Sequence, residues 1–165
     1  MLNRYVESET NQHVMKLIQM GADVKVVSGQ LVYVAFDITD EVKVSYVYNI
    51  NKKNRYFLER IKPYPIAVKE FNTAEDIINI IKIDVEQFKN AAKSHNIQDF
   101  IQTNYDFHNV ILTFEDLFLY YNVDRETFID IKQHINEIYQ TINKAKIKSP
   151  RVYFGKNPDH LSEED

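Results

Sequence analysis

The apolar residues of this chain change their period twice, and that change limits the possible folds more than any other feature. Val14, Leu17, Ile18 and Gly21 fall at i, i+3, i+4 and i+7, the spacing of one helix face. From Val42 to Ile50 apolar and polar residues alternate instead, as on a strand with one covered face, and Leu31 to Ile38, across the polar Thr39-Asp40-Glu41 break, reads as its hairpin partner. Beyond Thr73 the spacing is helical again. A run of strands followed by a run of helices belongs to the α+β class.

The spacing predicts a first helix over about residues 9–20, with Ser8 or Thr10 as N-cap and Gly21 as the terminating residue. Four strands of an antiparallel meander are expected next, at Val24–Val27, Leu31–Ile38, Val42–Ile50 and Arg55 to about Lys62. Ser28-Gly29-Gln30, Thr39-Asp40-Glu41 and Asn51-Lys52-Lys53-Asn54 supply the turns, and Pro63 and Pro65 end the last strand because proline cannot donate to a ladder. The order resembles cystatin-like and similar helix-plus-meander folds in topology only, which implies nothing about function. The expected division is residues 1–70 for this unit, 71–146 for a helical module and 147–165 for a flexible tail.

The helical module contains an internal match at a spacing of 40 residues. Thr73, Glu75, Asp76, Asp84, Glu86 and Phe88 recur as Thr113, Glu115, Asp116, Asp124, Glu126 and Phe128, six identities in sixteen positions. Thr73 with Asp76, and Thr113 with Asp116, have the spacing of a helix-capping pair. Asp84 and Asp124 stand where a second helix would need its own N-cap, after short turns at Lys82-Ile83 and Asn122-Val123. The match therefore predicts two helix-turn-helix repeats, near residues 73–95 and 113–145. Along the last helix, Phe128, Ile131, Ile135, Ile138, Ile142 and Ala145 follow alternating steps of three and four, the seam of a coiled coil. This seam is expected first in the core of a monomer, with a homodimer interface as the alternative.

Charge is segregated in blocks. Residues 51–70 carry +4, residues 71–142 carry −7 and residues 143–156 carry +5. The acidic block handicaps phosphate binding, which draws most of its non-specific affinity from cations. The segment EDLFLYYNVDRETFIDIKQ nevertheless resembles a DNA-binding helix-turn-helix, a resemblance that implies a second helix reading base edges. Phe118 or Ile78 replaces the usual small residue of the first helix, and Asn122 or Lys82 replaces the turn glycine. On that alternative reading Lys89, Lys93 and Arg125 would contact nucleic acid. A second such surface would be the sheet, if Tyr33, Lys43, Tyr56, Arg60 and Lys62 shared one face. The hairpin cations Lys52, Lys53 and Arg55, and Lys144, Lys146, Lys148, Arg151 and Lys156 near the end, are candidates for an acidic partner.

Catalytic chemistry finds little support. The chain has no cysteine, which removes disulfides, thiolate metal sites and cysteine nucleophiles. None of His13, His95, His108, His134 and His160 has a second histidine three or four positions away, so no metal or cofactor is expected. Asp106 and His108, two residues apart, are the candidate carboxylate and imidazole pair. With only three glycines there is no phosphate-binding loop. No apolar stretch is long enough to span a membrane, and the start of the sequence lacks the apolar core of a signal peptide, so a cytoplasmic protein is expected. Abundant Asn, Ile, Lys and Tyr fit an A/T-rich coding sequence, as in a low-GC bacterium or its phages. The expected role is that of a non-catalytic interaction or regulatory protein, an inhibitor or adaptor that binds a protein partner through acidic helical surfaces. Arg151, Val152, Tyr153 and Phe154, apolar residues among cations and proline, are the candidate docking segment of the tail.

Overall fold

Only glycine adopts a left-handed backbone at no steric cost, and Gly21 takes φ +92° to close the first helix, α1 (Leu2–Gln19). Gly21 N donates to Ile18 O (2.9 Å) and Ala22 N to Leu17 O (3.1 Å), so the last carbonyls of the helix are satisfied. The computed structural model describes residues 2–26, 29–51, 56–71 and 73–161. The helix begins well before the expected residue 9, so Ser8 and Thr10 lie inside it and neither starts it. No proline or glycine interrupts residues 2–19, and nothing local stops the helix from extending.

Three strands stand close to where the alternation places them: β1 (Gly29–Asp37), β2 (Lys43–Asn51) and β3 (Tyr56–Lys62). The first expected strand, Val24–Val27, does not form among the described residues: 22–26 have no regular structure, and Val27 lies outside them. Instead the chain turns through Pro63 and Pro65 into β4 (Ile66–Phe71), which pairs antiparallel with β3 at the edge of the sheet. The prolines end β3 as expected, but they make a corner and not the end of the sheet.

The helical half consists of α2 (Ala74–Ala91), α3 (Ile97–Tyr120) and α4 (Arg125–Lys148). Thr73 caps α2, its hydroxyl accepting from Asp76 N at 3.1 Å. The helix then runs without a break through Lys82-Ile83, where the repeat required a turn. Thr113 likewise lies in the middle of α3 and caps nothing. The first supposed repeat is thus one helix, and only the α3–α4 connection is a helical hairpin.

Asp84 explains why the turn is absent. Ile77, Ile81, Val85 and Phe88 form the buried face of α2, packed on Val44, Tyr46, Leu58 and Tyr64 of the sheet and its corner. Asp84 lies on that same face, three residues beyond Ile81, and meets a cation there. Arg60 Nη1 lies 3.0 Å from both Asp84 carboxylate oxygens, and the Tyr46 hydroxyl donates to Asp84 Oδ2 at 2.7 Å. The guanidinium sits between the Tyr64 ring (4.5 Å) and the Phe88 ring (4.9 Å).

Burial pushes the Tyr46 phenol well above its ordinary value, and its bond to the Asp84 carboxylate pushes it further; burial raises Tyr64 as well. In the unfolded chain both phenols would lose their protons near pH ~10. Above that pH the folded state holds more protons than the unfolded one, so stability falls as pH rises. Melting temperatures measured at pH 8 and above pH 10 should show this alkaline loss, and Tyr46→Phe should flatten it. An identical slope in that variant would remove Tyr46 as its source.

Candidate interaction surface

At 24 residues each, α3 and α4 extend for about 36 Å. The first half of α3 is fastened to the sheet corner. The Tyr105 hydroxyl donates to Pro63 O (2.6 Å), and the Phe100 ring lies edge-on to Tyr64 at 5.7 Å. The chain reverses after Tyr120, and Asp124 starts α4 by accepting from Thr127 N at 2.8 Å. Bonds from the Thr127 backbone and hydroxyl hold the Asp124 carboxyl below its usual range. Phe128 closes the tip against Phe114 (6.1 Å) and Phe118 (5.9 Å). At its far end α4 lies beside α2, where Ile142 and Ala145 line a cavity with Gln87, and the tail crosses there, Asn90 Nδ2 donating to Val152 O at 3.3 Å.

From Val110 to Tyr121, nine of twelve residues are apolar or aromatic, and at 100° per residue they occupy every side of the helix. A helix of that kind is normally buried. Yet α3 has no buried residue, and Val110, Leu119 and Tyr120 are 64%, 67% and 78% exposed. The seam of α4 is also open to solvent: Phe128 and Ile131 are half-buried, whereas Ile135 is 47% exposed and Ile138 and Ile142 both 41%. These isoleucines are therefore not the core of the chain, because the core is built from α2 and the sheet. A signal for α3 was present in the sequence, since a twelve-residue stretch with so few polar residues has no face to give to water. The forty-residue match obscured it by placing a helix start at Thr113.

The other candidate residues are dispersed. Lys89 and Lys93 are exposed near the end of α2, while Arg125 opens α4 at the hairpin tip, the opposite end from the segment that meets α2. The structure does not bring the three together. The proposed sheet surface also divides. Tyr33, Val47 and Glu59 are cross-strand neighbours on one face, whereas Val34, Tyr46 and Arg60 neighbour one another on the other. Arg60 is buried with Asp84, and Lys43 pairs instead with Asp37 at 3.0 Å. Lys52, Lys53 and Arg55 lie outside the described residues.

Asp106 and His108 are exposed on α3, with Asp106 Oδ1 accepting from Gln102 Nε2. Among the described residues no group of three or more metal-ligating side chains occurs, and no helix is long and apolar enough to cross a membrane. In the tail, Arg151 donates to the carbonyls of Tyr153 (2.8 Å) and Lys156 (3.0 Å) and stacks over the Phe154 ring at 5.3 Å. Tyr153 is half-buried beside a cavity of about 530 Å³ that Gln87, Ile142, Ala145 and Val152 also line, while Val152 and Phe154 remain largely exposed. Lys156 pairs with Asp159. The docking segment is held on the chain's own α2 and α4. No protein-family model matches this chain, and no curated protein and no solved structure matches it.

Proposed function

We propose that this protein is a non-catalytic interaction module, an adaptor or inhibitor whose working surface is the α3–α4 hairpin. The observation that carries this reading is the exposure of the second half of α3, apolar on every side from Val110 to Tyr120, in a helix with no buried residue. Apolar area left in water forgoes roughly 25 cal/mol per Å², so a partner that covers this helix gains free energy from a surface already folded into shape. Asp99 and Asp106 precede the apolar stretch of α3, Glu115 and Asp116 stand within it, and together they would select against an acidic partner.

A photo-crosslinking side chain placed at Leu112 or Leu119, in cells making the protein, should give discrete protein adducts. The same group at Tyr33, exposed on the sheet, should give none. Absence of adducts at both α3 positions would sink the reading, and adducts removed by nuclease would favour nucleic-acid binding instead.

A further inference from the structure

We infer that the occupant of this surface is a second copy of the same chain, so that two hairpins close into a four-helix bundle; the inference rests on the interaction reading above. The first support is area. A folded monomer of 19.6 kDa is expected to expose about 8,600 Å². This chain exposes 13995 Å², an excess of about 5,400 Å² over that scaling, where a standard interface covers only about 800 Å² on each partner. That excess is the whole chain's, α1 and the outer sheet face included, and a standard interface on the hairpin would take up only part of it.

Charge is the second support, and it selects the arrangement. α3 carries four acidic residues and no lysine or arginine, while α4 carries five cations, Arg125, Lys132, Lys144, Lys146 and Lys148, against three acids. Contact between two α3 helices would oppose acid to acid. A two-fold arrangement in which α3 of each copy lies against α4 of the other opposes unlike charges twice, as an isologous interface requires. The helices have the apolar faces this needs. The second half of α3 is apolar all round, so it can meet its own α4 through Phe114 and Phe118 and the second copy through Leu112, Leu119 and Tyr120. The heptad seam of α4 at Ile135, Ile138 and Ile142 has the spacing that packs in such bundles.

The test begins with the full chain at micromolar concentration by sedimentation velocity, where a particle of twice the chain mass is expected. Carbodiimide coupling of a mixture of ¹⁵N-labelled and unlabelled protein then reads the contact without any substitution. Isotopically mixed links should join Lys132 or Lys144 to Asp106, Glu115 or Asp116. Leu119→Glu should weaken dimerisation at least about 30-fold, whereas Ile78→Glu, on exposed α2 surface, should leave it unchanged. A monomer at 100 μM would overturn the inference, as would mixed links confined to other elements, or a monomer that binds phosphatidylcholine vesicles through α3. A monomer that still gives adducts to a different protein at Leu119 would overturn the dimer alone and leave the interaction reading standing.

Discussion

Asp84→Ala should cost about 3–5 kcal/mol of stability, because it leaves the Arg60 guanidinium inside the core without its counter-charge. The side chains of Arg60 and Asp84 are only 9% and 23% exposed, so water can replace little of what the carboxylate supplies. The Tyr46 hydroxyl loses its acceptor in the same step. For a domain of this size that corresponds to a fall in melting temperature of about 10 °C or more, measurable by calorimetry or circular dichroism. The triple change Arg60→Met, Asp84→Leu and Tyr46→Phe should lose much less, since apolar groups of similar volume leave no buried charge behind. If the single variant proved as stable as the triple one, the pair would not be a structural element of the core.

Phe88→Ala should lose a similar amount, about 3–5 kcal/mol, by opening a cavity where α2 meets the sheet corner. The Phe88 ring is 5% exposed, packs edge-on to Tyr64 at 6.3 Å and covers one side of the Arg60 guanidinium. Tyr64 in turn touches Phe100 at the start of α3, so the cavity sits beside the root of the hairpin. Urea unfolding should show a lowered midpoint, and hydrogen exchange should rise across α2 and the first turns of α3. A change confined to α2 would show that the hairpin root is held by Tyr105 and Pro63 instead.

Local patterns in the sequence were sufficient for part of this fold. The end of α1 at Gly21, the Thr73 cap and the Asp124 cap follow from contacts within a few residues, and β1 to β3 from strand patterning between turn residues, both of which sequence spacing displays. β4 was not legible, because a short stretch after two prolines gains its pairing only from β3. Strand phase also escaped. A shift in register between Ser45 and Tyr46 helps place Arg60 opposite Tyr46, under α2, and away from Tyr33.

Of the candidate surface, the sequence by itself supplied the apolar seam of α4, the segregated charge and the absence of any cysteine chemistry. The tertiary structure alone decided that Asp84 is the partner of the buried Arg60 and not a helix cap. A carboxylate in an apolar stripe has no fixed role until a cation from another element reaches it, and Arg60 lies 24 residues away along the chain. It also decided which apolar stripe becomes core. Both α2 and α4 carry one, but it is α2 that covers the sheet face holding Tyr46, Leu58 and Arg60, and the hairpin stripes stay in solvent. Spacing shows that a helix face is apolar; only the arrangement of the other elements shows whether something in the same chain lies against it.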